Sequence, residues 1–219
     1  MPKRKRAIDT IRYGIEIECE FPEKEDSEKL VEKNRLIRGW WLDNDWSTDN
    51  GAEYKPKNSN KLFFNKDGFD QIKEVLGLSK AHKARISQRC GLHVHVDMKG
   101  FSNQEIANIV SAYLKNQDQI HKDFKVLKYR LRKHCRKIPR SVKKFLTEEA
   151  FKRLRQNKDL GNYLNHDYFS DRHWALNVDS LNEHGTLEFR LFNGSIQINT
   201  IKRNVRFALQ FCLDNAKGA

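Results

Sequence analysis

No stretch of this 219-residue chain stays apolar for the roughly 18 to 20 residues that a membrane span requires. The basic start, Lys3 to Arg6, leads into Ala7–Arg12 and not into an apolar signal core, so an intracellular, cytoplasmic setting is expected. Cysteine is scarce and scattered: Cys19, Cys90, Cys135 and Cys212 form no C-x-x-C pair, which argues for reduced thiols and against a disulfide framework or zinc knuckle. Only 4 prolines and 11 glycines are present, which excludes collagen-like and low-complexity chains. Internal repeats and a Pro/Gly/Ser linker are both missing. The expectation is one domain over residues 7–219, with 1–6 as a flexible basic tail and Glu23–Asn34 as a charge-rich surface insertion.

Charge is plentiful. Lysine and arginine total 42 against 29 acids, a formal net charge of +13. Its distribution is uneven: Lys3–Arg6 contributes four positive charges, and residues 121–144 hold eleven Lys/Arg against the single acid Asp123. The remainder of the chain is close to neutral. Basicity therefore bears on where a nucleic acid, an acidic partner or an acidic substrate would dock, and little on chemistry.

Period-2 patterns are the clearest local signal. In Tyr13–Phe21 the residues Tyr13, Ile15, Ile17, Cys19 and Phe21 alternate with Gly14, Glu16, Glu18 and Glu20. Arg89–Met98 repeats the pattern, with His93, His95 and Asp97 opposite Leu92, Val94 and Val96. Trp40–Leu42 and Ala52–Lys55 read as short strands joined through the tight-turn pair Asn50-Gly51. Trp174–Val178 and Thr186–Phe192 read as two more. Helices are expected over Phe69–Leu78, from a Ser102/Glu105 capping box through Ile120 into the basic segment as far as Pro139, from Thr147 to Arg155, and from Asn199 or Thr200 with Ile201, Val205, Ala208, Leu209 and Cys212 on one stripe. The sum is an α+β chain, its antiparallel sheet packed on helices by one face and open on the other.

Three strands send ligand-type residues to that open face: Glu16, Glu18 and Glu20; His93, His95 and Asp97; Glu188 and Arg190. Three like charges about 7 Å apart on one strand repel unless a cation answers them. Carboxylate oxygens with imidazole nitrogens, carboxylates in the majority, suit Mg2+ or Mn2+. Arg190, one residue past Phe189 from Glu188, carries a charge that cannot be neutralised and suits a transferring phosphoryl group.

Tyr13–Glu20 (YGIEIECE), the Asp45-Trp46-Ser47 turn with Ala52–Pro56 (AEYKP), Cys90–Asp97 (CGLHVHVD) and Thr186–Gly194 (TLEFRLFNG), in this order, resemble the amidoligase family, the ATP-dependent carboxylate–amine ligases of the glutamine synthetase and glutamate–cysteine ligase fold. The resemblance implies a curved antiparallel half-barrel with helices on its outer face. It implies metal roles for Glu16, Glu18, Glu53, His93 and Glu188, contact of His95 with the nucleotide phosphates, and a phosphate-binding, catalytic Arg190. Arg172, ahead of Trp174 and Asn177, resembles a phosphate- or substrate-contacting position. Implied cofactors are ATP with Mg2+ or Mn2+. A substrate carboxylate, glutamate or a peptide among the candidates, is phosphorylated and then captured by an amine as an amide or isopeptide. Two other readings use the same residues: a metal-dependent nuclease or phosphodiesterase that grips nucleic acid with the basic helix, and a non-catalytic nucleic-acid-binding module.

Overall fold

The computed structural model of the chain describes residues 6–23, 39–45, 50–57, 62–156 and 172–218. Residues 1–5 of the basic tail, nearly all of the 23–34 insertion and Trp46-Ser47 of the turn lie outside the described residues. Among the described residues seven strands are found: β1 (Arg12–Glu20), β2 (Trp40–Asp45), β3 (Gly51–Pro56), β4 (Leu62–Phe63), β5 (Gly91–Asp97), β6 (Leu176–Asn177) and β7 (Thr186–Asn193). They pair in the order β2-β3-β1-β5-β7-β6, with β4 beside the start of β1. Every pairing is antiparallel and the order does not return on itself, so the sheet is unclosed.

Alternation decides the faces. Tyr13, Ile15, Ile17 and Cys19 of β1 are buried and sit in register with Val96, Val94 and Leu92 of β5 and with Tyr54 and Ala52 of β3. Each large apolar side chain so covered contributes about 1.5–3 kcal/mol. The helices are α1 (Lys66–Ala81), α2 (Asn103–Asp123), α3 (Lys128–Lys133), α4 (Glu148–Arg155), α5 (Ser180–Glu183) and α6 (Ile198–Asn215), with a 3-10 turn at Arg140–Phe145. The α6 stripe Ile201, Val205, Ala208, Leu209 and Cys212 is buried, and α6 packs on β5 and against α1 and α2. Phe189 of β7 meets the rings of Tyr113, Phe207 and Phe211 at 6.1–6.3 Å between centroids. The capping box is present, Ser102 accepting from the Glu105 amide and Glu105 from the Ser102 amide. Among the described residues no helix is long and apolar enough to cross a membrane, and the four cysteines are free and buried.

Two expectations need correction. Residues 121–144 are not one helix running to Pro139: α2 stops at Asp123, Lys125 turns the chain with a positive φ of 48°, and α3 and the 3-10 turn follow as separate short elements. Val126, Arg130, Cys135, Ile138 and Val142 of this segment are buried, so its interior side belongs to the core. Arg6, assigned above to the flexible tail, is held in place, its guanidinium 2.9 Å from Glu105 and 4.0 Å above the Phe101 ring.

The last turn of α2 also carries a testable acid sensitivity. His121 is 5% exposed, with Nε2 3.0 Å from the Tyr113 hydroxyl, and burial together with the nearby Lys137 charge pushes its pKa down to about 4. Below pH about 6.5 the unfolded chain takes up a proton that the folded chain refuses, so stability is lost as the pH falls from about 6.5 towards 4, by up to about 3 kcal/mol. His121→Gln keeps a partner for Tyr113 without a titration. The difference between its urea midpoints at about pH 5 and pH 7 should be smaller than that of the parent chain.

Candidate active site

The open face is assembled by register. On β1, Glu16 stands opposite His93 of β5, Gly14 opposite His95, and Glu18 opposite Glu53 of β3. On the far side of β5, His95 stands opposite Glu188 of β7, and Asn177 of β6 completes that row. Four strands therefore deliver four carboxylates and two imidazoles to one place, as the alternation of β1 and β5 leads one to expect.

Glu16 is the hub. Its Oε2 lies 2.7 Å from His93 Nδ1 and its Oε1 3.1 Å from His95 Nε2. Glu188 Oε1 lies 3.4 Å from His93 Nδ1 and 3.7 Å from His95 Nε2. Two groups of three ligand atoms, each group within 4.8 Å of one another, share it: Glu16, His95 and Glu188, and Glu16, Glu53 and His93. Each offers two carboxylates and one imidazole, a donor set suited to Mg2+ or Mn2+.

Two observations test whether these residues fit a cation. His93 Nε2 is buried without a hydrogen-bond partner, although Glu18 Oε1 is 3.2 Å away. Burial and then the Glu16 charge drive the Glu53 carboxyl well above the ordinary carboxylate range, only partly offset by Lys55, whose Nζ is 3.4 Å away. Crowded, half-buried carboxylates of this kind are relieved by a positive ion. At Glu16, burial opposes ionisation but His95 and His93 overcome it and hold the carboxyl well below its usual range. Glu188 is likewise lowered, with burial outweighed by His95 and Arg190. His95 is raised despite burial because Glu16 and Glu188 face it. The residues fit a divalent cation at either triad.

Supporting groups fix these side chains. His95 Nδ1 sits 3.2 Å from Ser180 Oγ and 3.1 Å from Thr186 Oγ1, which turns Nε2 towards Glu16 and Glu188. Asn177 donates to Glu188 Oε2 at 2.7 Å, and Arg190 donates to Oε1 at 2.6 Å. Arg190 follows Glu188 onto the open face by alternation, and β7 bulges just there: Leu92 pairs with Phe192 but Val94 with Phe189, so two residues, Arg190 and Leu191, stand opposite the one residue His93.

A family model described as "Putative amidoligase enzyme" matches residues 11–212, from the start of β1 into the last turn of α6. The chain belongs to the amidoligase family. No curated protein and no solved structure matches it.

Within this amidoligase the residues singled out from sequence fall into three groups. Glu16, Glu53, His93, His95 and Glu188 come together in the two triads, with Arg190 bonded to Glu188. Glu18 adjoins them through His93 but belongs to neither triad; it accepts the Gly91 amide and lies 3.8 Å from Arg130. Arg172 is exposed and has no hydrogen bond or ion pair with the cluster. Glu20 accepts from the Ser87 hydroxyl and Asp97 from the Lys99 amide, both outside the triads.

Sequence reasoning missed Arg130. This side chain of the basic segment is 0% exposed and donates to the carbonyls of Arg89 (2.8 Å) and Arg190 (3.0 Å) as well as facing Glu18. It fills the space beside Gly91, where any Cβ would overlap the guanidinium. One cation of the eleven thus braces both the bulge at Arg190 and the carboxylate beside His93.

Proposed function

We propose that this amidoligase is an ATP- and Mg2+-dependent carboxylate–amine ligase, its unclosed sheet being the half-barrel of a glutamine synthetase-like fold. The observation that carries the reading is the pair of ligand triads sharing Glu16, with Arg190 beside them. Glu16, His95 and Glu188 would hold one Mg2+ or Mn2+, and Glu16, Glu53 and His93 another. Ions bound there would supply charge neutralisation for a triphosphate and polarise its terminal phosphoryl group.

The chain's own residues do the positioning. Arg190, oriented by Glu188 and by the braced bulge, offers its remaining donors to the oxygens of the transferring phosphoryl group, where negative charge concentrates. His95, locked by Ser180 and Thr186, fixes one wall of the phosphate site. A substrate carboxylate oxygen attacks the terminal phosphorus and ADP leaves; the amine nitrogen then attacks the acyl carbon, phosphate leaves, and the nitrogen gives up one proton. No protein nucleophile enters this sequence, and the work of the site is to hold like charges close together.

Purified protein should bind ATP by calorimetry only with Mg2+ or Mn2+, and should release ADP and phosphate only when a carboxylate and an amine are both supplied. Absence of nucleotide binding with Mg2+ present would overturn the reading. Cleavage of plasmid or RNA by the same protein with Mn2+, lost in Glu188→Gln, would replace it with the phosphodiesterase reading.

A further inference from the structure

The surface made by the basic segment is left unused by the proposed chemistry, and it is pinned to the site. Three tie points hold it along the β7–β6 end of the sheet. The Leu127 amide donates to Asn193 Oδ1 and Asn193 returns a bond to the Lys125 carbonyl. Arg130 bonds to the Arg190 carbonyl. Arg136 exchanges backbone hydrogen bonds with His173 and Ala175, and Ala175 in turn accepts from the Arg190 amide. The stretch between these points therefore rims the side of the cluster where Arg190 stands.

What it presents is positive and unanswered. Lys122, Lys125, Lys128, Arg132 and Lys133 are exposed, and none has an ion-pair partner among the described residues. Leu127, one of two large hydrophobic side chains exposed among the described residues, sits between Lys125 and Lys128. Aromatic platforms for nucleobases are not offered: the Phe124 ring packs at 4.6 Å on Phe207 and 5.0 Å on Phe192, and Tyr129 lies tilted against His134 at 5.6 Å. A rim of exposed cations with an apolar residue among them and no free aromatic platform matches a polypeptide rich in Asp and Glu.

We infer that the surface from Lys122 to Lys133 docks an acidic polypeptide and feeds one of its carboxylates to the Arg190 side of the cluster; the feeding step rests on the ligase reading, the docking does not. The test is fluorescence anisotropy with a labelled oligo-glutamate peptide, in parallel with RNA and duplex DNA of matched charge, on the full chain without nucleotide. The peptide is expected to bind, to weaken as salt is added, and to lose at least ~10-fold in affinity in the triple variant Lys128→Glu, Arg132→Glu, Lys133→Glu. Calorimetric Mg–ATP binding by that variant should be unchanged. If the charge reversal compromises folding, the Gln triple at the same positions serves, with a smaller loss expected. No peptide binding, tighter binding of either nucleic acid, or peptide affinity indifferent to the substitutions would overturn the inference. Failure of Mg–ATP to bind the parent chain is a separate result that strikes the ligase reading alone.

Discussion

Glu16→Gln is expected to remove both divalent-ion positions at once. The side chain contributes a ligand atom to each triad, and its two oxygens are divided between His93 and His95. Glutamine keeps the size and one acceptor oxygen but loses the charge that a hard cation needs. Titration of the parent chain with Mn2+, followed by electron paramagnetic resonance or calorimetry, should give two ions per chain. Glu16→Gln should bind neither at comparable concentration, with affinity down ~100-fold or more, and ligase turnover should fall with it. Glu53→Gln and Glu188→Gln act as controls, since each belongs to one triad and should cost one ion. The fold should survive, because removing a charge from a crowded acid cluster relieves the repulsion that raises Glu53. Retention of two ions by Glu16→Gln would show that the triads are not the metal centre.

The second large effect concerns stability. Arg130→Met would leave Glu18 buried without its cation and the Arg89 and Arg190 carbonyls without their donors. Breaking a buried pair in this way costs about 3–5 kcal/mol. Gly91→Ala attacks the same contact from the other side, because its methyl group would overlap the guanidinium against the backbone of β5. In the Arg130→Ala background that obstacle is gone, so the two substitutions should be strongly non-additive, by roughly 2–3 kcal/mol. A double-mutant cycle in urea measures this directly. Additive losses would mean that the guanidinium and the glycine do not share one slot.

These two cases mark how far sequence reasoning reaches. The faces of β1 and β5 were legible because a half-buried strand forces alternation, and the acidic and histidine residues on the polar side announce themselves by type. Strand partners were not: β4 is two residues long and has no pattern of its own. The end of α2 was misplaced because the chain turns at Lys125, a lysine in the conformation that favours glycine, while the visible breaker, Pro139, lies further on. Arg130 could not be distinguished from ten neighbouring cations, since what makes it different is a glycine 39 positions earlier in the chain. The resemblance implies metal for Glu18 and nucleotide for His95; in the fold His95 stands with Glu16 and Glu188, and Glu18 lies 3.2 Å from His93 Nε2 while accepting the Gly91 amide. Local pattern names the donors; only the tertiary arrangement says which donors converge.

The bulge in β7 has a bearing on how this sheet tolerates changes in chain length. Seven residues of β5 are answered by eight of β7. Up to Arg190 the even-numbered residues of β7 look towards the carboxylates; by Asn193, paired with Gly91, the odd-numbered ones do. An extra residue inside a central strand would ordinarily invert every side chain beyond it, exposing Phe192 and burying Asn193. Here the surplus is absorbed within one peptide step, with its freed carbonyl taken up by Arg130. Chain length and face identity are thus uncoupled at Leu191, and the strand can be read as two half-strands with independent phase. The half that carries Glu188 and Arg190 keeps its polar side on the open face while the half beyond keeps Phe192 in the core.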